Sequence, residues 1–165
     1  MPSRSQRSEH RNRARSPIRL AGLADWGGQQ EIGCDKWQML GHLSLGVSDL
    51  ERAIAFYEAA LAPLGLTRVW TTPNAAGFGP PGGGDILALK QQPTPVRPPG
   101  PGFHLAFNAS TYAAVVAFHS EALRAGGTDN GGPGLRPHYG PTYYAAFVID
   151  PDGYPIEAVC QQKNA

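Results

Sequence analysis

At 165 residues and 41% apolar content the chain can bury one core but not two of ordinary domain size, and its 21 glycines and 16 prolines put much of it in loops. The net charge of +1 is unevenly spread: Arg4, Arg7, Arg11, Arg13, Arg15 and Arg19 face only Glu9 at the start, and from residue 39 onward seven bases meet nine acids, so the body offers no electrostatic footprint for nucleic acid or a membrane surface. Cys34 and Cys160 make neither a disulfide framework nor a zinc spacing, and no apolar run nears the roughly 18 residues of a bilayer span, so a cytoplasmic protein is expected.

Residues 1–38 carry the Arg/Ser bias without sustained periodicity and read as a flexible extension before a domain at 39–165. Three origins compete for it: a start codon upstream of Met39, an interaction arm, or an organelle-targeting segment. Strand-like alternation begins after Met39, with Leu43, Leu45 and Val47 on one face and His42, Ser44 and Gly46 on the other. Ser48-Asp49 then caps a helix whose apolar stripe is Leu50, Ile54, Tyr57, Leu61 and Leu64, stopped by Gly65. Strands are expected next at 66–72, 75–79 and 85–90. The glycines of 77–84 precede neither Lys-Ser/Thr nor a long helix, so they read as a strand connection rather than a phosphate loop.

The Gly/Pro-rich stretch 92–102 links this unit to a second copy of itself. A shift of 62 positions lays His42-Leu43 on His104-Leu105, Ala55-Phe56 on Ala117-Phe118, Ala60-Leu61 on Ala122-Leu123 and Gly65 on Gly127 without a gap. The second helix is read with a stripe of Tyr112, Val116, His119 and Leu123, and after it clear strands occur only at 143–149 and 156–161. Between them Asp150-Pro151-Asp152-Gly153 is a turn in which Pro fixes the first central position and Gly takes the left-handed one. The expected fold is α+β: two βαβββ modules, about 40–91 and 102–162, forming a cupped, mostly antiparallel sheet with helices on its outer face.

Strand parity puts three potential metal ligands on the face away from the helices. Leu105 and Phe107 are helix-side, so His104, Ala106 and Asn108 face the other way; Ile156, Ala158 and Cys160 are helix-side, which leaves Glu157 with the two histidines. Register across the turn places Phe147 opposite Glu157 and adds Tyr143 to that face. Two imidazoles and a carboxylate make a borderline-hard site for one divalent ion, Fe, Mn, Ni, Co or Zn, with positions left open for substrate or water. Aligning 86–89 with 156–159 sets Leu87 where the second copy has Glu157, so the fourth corner of a symmetric plan is expected at Leu87. An isolated strand histidine is more often structural than metal-binding; the repeat-equivalent placement of two of them carries the case.

The stretches 41–57, 102–107 and 143–159 resemble the vicinal oxygen chelate superfamily of glyoxalases, bleomycin-resistance and fosfomycin-resistance proteins and extradiol dioxygenases. The resemblance implies a metal inside a cup, with ligands on the first strand of each module and the last strand of one, matching His42, His104 and Glu157. It also implies a homodimer in which modules are sometimes exchanged, so that ligands come from different subunits. The residue at the fourth corner departs from the glyoxalase I pattern. The expected activity is that of a metal-dependent lyase, isomerase or transferase acting on a small oxygen-chelating substrate, with an extradiol-type ring-cleaving dioxygenase and a non-enzymatic bleomycin-type binding protein as alternatives. His138 and Tyr143 are candidates for acid/base work, since His titrates near neutrality and Tyr can donate to a developing oxyanion. Ser44, Asn108, Arg136, Tyr139 and Phe147 are candidates for substrate contact; a loop histidine and packing aromatics are the competing reading. His119 is read as a packed histidine and Cys160 as inert core.

Overall fold

A computed structural model describes residues 40–93 and 95–161, so the reading of 1–38 as an extension lies outside the described residues. The elements run β1 (Leu43–Val47), α1 (Leu50–Leu61) with a 3-10 turn at Ala62–Leu64, β2 (Thr67–Thr72), β3 (Ala75–Gly79), β4 (Leu87–Gln91), β5 (Leu105–Asn108), α2 (Tyr112–Arg124), β6 (Thr128–Leu135), β7 (Tyr144–Ile149) and β8 (Pro155–Cys160). This is βαβββ twice. Among the described residues no helix is long and apolar enough to cross a membrane.

Each module makes its own four-stranded sheet, ordered β1-β4-β3-β2 and β5-β8-β7-β6. The β1–β4 and β5–β8 pairs are parallel, bridged by the intervening helix and hairpin, and the remaining pairs are antiparallel. The helix signals act as read. The Asp49 carboxylate accepts from the Arg52 amide at the start of α1, the Thr111 hydroxyl accepts from Ala114 at the start of α2, and Gly65 takes φ +77° after the 3-10 turn.

The core lies on the helix side of both sheets. Leu45, Val47, Leu87 and Leu89 of the first sheet, Phe107, Val148, Ile156, Ala158 and Cys160 of the second, Ala53, Phe56, Tyr57, Ala60 and Leu61 of α1 and Val115, Phe118 and Ala122 of α2 form one continuous core. The stripe expected on α2 is therefore displaced: Val116 and Leu123 are 46% and 37% exposed, and Val115, Phe118 and Ala122 are buried. The repeat carries the right answer, since these three lie 62 positions after Ala53, Phe56 and Ala60. The face that α2 buries is thus the one that repeats the buried face of α1, and not its own longest apolar series.

The strand β6, sequence TDNGGPGL, is the element that alternation does not reveal. Its pairing with β7 slips between Asp129 and Gly131 and again between Gly131 and Gly134, so period-two patterning is lost.

Register corrects the fourth corner. Leu43 pairs with Leu87 and Leu105 with Ile156, whereas Ser44 pairs with Ala88 and Ala106 with Glu157. Leu87 is thus the counterpart of Ile156 and belongs to the helix-side core; Ala88 stands where the second module has Glu157. The gapless alignment of 86–89 with 156–159 is one residue out.

The two modules are joined by the turn at Asp150. Tyr57 donates to the Asp150 carboxylate at 2.8 Å, and Arg52 and the Ser48 amide reach Asp152 at 2.9 and 3.2 Å. The Ser48 hydroxyl also donates to Asp152, and Tyr154 donates to the Gly46 carbonyl at 2.9 Å. Within the turn Asp150 receives the Asp152 and Tyr154 amides, and Gly153 takes φ +92°.

Candidate metal centre

Glu157 sits at the centre of the second module's concave face. It is 1% exposed, although that face points away from the helices. Three features enclose it. The β7 register puts half-buried Phe147 directly opposite. Tyr143, held at the mouth of the β6–β7 hairpin where its carbonyl accepts from the Arg136 amide, donates its hydroxyl to Glu157 Oε1 at 2.7 Å. His104, just before β5, brings Nε2 to 3.2 Å from Glu157 Oε2 while its side chain stays 52% exposed.

Burial, then the hydrogen bond to Glu157 and its charge, push the Tyr143 phenol up to about 12, so at neutral pH it is a proton-bearing donor. From Tyr143 a line of rings runs outward, to Tyr139 at 5.1 Å and on to His138 at 4.1 Å between centroids. The Arg136 guanidinium lies 5.4 Å above Phe147 and donates to the Gly132 carbonyl at 2.7 Å. A cavity of about 530 Å³ opens in front of His104, lined by Tyr139, Phe147, Asn130 and the linker 99–103.

The third expected ligand is elsewhere. His42, just before β1, is exposed and lines a separate cavity of about 280 Å³ with Leu105, Ala106, Phe107 and Asn108. Among the described residues no three His, Cys, Asp or Glu side chains come within reach of one ion. The chain thus brings together His104, Glu157, Tyr143, Phe147, Tyr139 and Arg136, and sets His42, Ser44 and Asn108 apart. His138 reaches this group only through Tyr139.

The family model of the glyoxalase/bleomycin resistance protein/dioxygenase superfamily matches residues 39–158. The chain belongs to that superfamily, also called the vicinal oxygen chelate superfamily. A solved glyoxalase/bleomycin resistance protein from Albidiferax ferrireducens is 30% identical, with TM-score 0.65 over 75% of this chain and 99% of that one. A glyoxalase-related enzyme from Fulvimarina pelagi shares the fold at 23% identity and TM-score 0.59, over 74% and 88% of the two chains. So does a glyoxalase/bleomycin resistance protein/dioxygenase family enzyme from Burkholderia phytofirmans, at 16% identity and TM-score 0.55 over 73% and 97%. No curated protein matches the chain.

Within this superfamily fold the two concave faces are unlike. Where Glu157 and Phe147 stand in the second module, the first has Ala88 and Gly77. The Trp70 indole fills the space over Gly77, whose Cβ would lie 2.2 Å from it. Trp70 pairs with Gly77 as Gly131 pairs with Phe147, so the ring has changed strands between copies. Sequence reasoning missed Trp70 and Ala88. The signal that could have found them is the Leu87/Leu89 parity of β4, which already marks Ala88 as facing away from the helices.

Proposed function

We propose that the protein is a metal-dependent enzyme acting on a small substrate that chelates one divalent ion through neighbouring oxygens, by lyase, isomerase or transferase chemistry. The observation that supports this most is Glu157: a carboxylate that is 1% exposed, bonded to Tyr143 and His104, and in no ion pair with Lys or Arg among the described residues. A buried anion without a fixed cation is costly. A divalent ion bound beside it relieves that cost, and the exposed imidazole of His104 is a second donor of the right kind.

The third ligand is assigned to His42 of a second copy of this chain, because His42 and His104 line different cavities here. A homodimer is part of the proposal. When bound, the ion supplies Lewis acidity that stabilises negative charge on substrate oxygens. The chain's own residues do the rest. Tyr143 fixes the orientation of Glu157 and keeps a phenolic proton at the site, Phe147 and Tyr139 line the cavity in front of His104, and Arg136 is held in place over Phe147.

Metal content of protein purified from unsupplemented cells tests the reading. About one Ni, Zn, Co or Mn per chain, lost in the His104→Ala Glu157→Gln variant, is the expected result. Iron with oxygen-dependent turnover would move the assignment to the ring-cleaving dioxygenase. Absence of bound metal together with unaltered ligand uptake in the same variant would replace it with a binding protein.

A further inference from the structure

The first module's concave face has its own cavity, of about 430 Å³, far in character from that of the second. It is lined by Ser44, Gly46, Lys90, Gln92, Arg97 and Tyr154 among others, and among the described residues no acid is present in its lining. Lys90 lies on this face because β4 pairs Gly46 with Lys90 and turns Leu87 and Leu89 toward the helices. Neither Lys90 nor Arg97 takes part in an ion pair among the described residues.

The cavity is built rather than left over. Gly46 has no side chain, and a Cβ there would come within 2.8 Å of Gln92 Cγ, so the glycine admits the Gln92 chain that forms the wall. Gln92 is anchored by its amide to the Val47 carbonyl at 2.9 Å, and Tyr154 closes the floor on the Gly46 carbonyl at 2.9 Å. Pro93, Pro95 and Pro98 restrict the backbone of the strap that carries Arg97, while the side chains of Lys90 and Arg97 are exposed and open to a ligand. Two unpaired cations at one concave place, with a hydroxyl and an amide beside them, set a positive potential that selects oxyanions. The repeat offers no such place in the second module: register equates Lys90 with Val159 and Gly46 with Asn108.

The geometry points to an oxyanion-binding site in the first module, in which Lys90 and Arg97 hold a carboxylate or phosphoryl group of a small ligand. The inference stands on this cavity alone and does not require the metal reading. Inorganic phosphate and acetate, titrated separately into metal-free full-length protein against chloride at equal ionic strength, test it through the amide resonances of Gly46 and Gln92. Saturable shifts at these two amides are expected, and the tighter of the two anions names the group. The Lys90→Gln Arg97→Gln variant should bind at least about tenfold more weakly, and Lys90→Arg should retain binding. In the same metal-free state the His104→Ala Glu157→Gln variant should bind phosphate or acetate as the wild type does. Shifts no larger than those with chloride, or equal affinity in the Lys90→Gln Arg97→Gln protein, would overturn the assignment.

Discussion

Tyr143 and Glu157 are joined by a 2.7 Å hydrogen bond that ties the mouth of one hairpin to the last strand of the sheet. Tyr143→Phe removes the donor and leaves a carboxylate oxygen buried without it. The expected cost is about 1–3 kcal/mol of stability, with metal affinity, where metal is bound, weakened roughly 10- to 100-fold through the loss of orientation. Chemical denaturation and metal competition against a chelator measure the two effects. A variant as stable as the wild type would show that Glu157 does not depend on this phenol.

Ala88, and not Leu87, is the place equivalent to Glu157, which separates two substitutions adjacent in sequence. Leu87→Glu puts a carboxylate among the helices, where an uncompensated charge costs several kcal/mol, against a total stability of about 5–15 kcal/mol for a domain of this kind. Ala88→Glu points its carboxylate to the concave face beside Trp70. Circular dichroism melts should show a cooperative transition for Ala88→Glu and none for Leu87→Glu. The reverse order would refute the register assignment.

Asp150 supplies a pH dependence whose sign can be worked out. Burial raises its pKa, against the lowering effect of its hydrogen bonds from Tyr154, Tyr57 and Asp152. The folded state therefore holds this proton more tightly than the unfolded chain, and the stability it contributes is full below the unfolded value of about 3.9 and lost as pH rises through the folded one. Relative to Asp150→Asn, the wild type should lose melting temperature as pH rises above about 4. A constant or widening wild-type advantage over that range contradicts the sign.

If His42 serves the site of a second copy, lesions on the two histidines complement each other. In a mixed dimer of His42→Ala and His104→Ala chains, one composite site carries both lesions and the other carries none. Random coexpression should then restore about a quarter of the wild-type metal content, while each variant alone stays low. Recovery no greater than the average of the two variants would place all three ligands within one chain.

The repeat made most of the fold legible. His42 on His104 and Phe56 on Phe118 fixed the strand-helix order of both modules, and the Asp150 turn correctly set Phe147 opposite Glu157 and brought Tyr143 beside it. What failed did so for local reasons. Glycine-rich β6 has no alternation to read because its bulges break the period. The bulkier apolar series on α2 runs through Val116 and Leu123, whereas the face it buries repeats Ala53, Phe56 and Ala60 of α1.

The side chains that face away from the helices were determined by sequence alone, because parity along a strand is a local property. Which of them meet was decided only by tertiary structure. His104 and Glu157 come together because β5 pairs in parallel with β8, and His42 stands apart because β1 belongs to the other sheet. Lys90 and Arg97 line one cavity only through the path of a proline-rich strap over Gly46, a placement that no spacing in the chain encodes. Long-range register and linker path depend on the packing of whole modules, and local patterns carry no term for either.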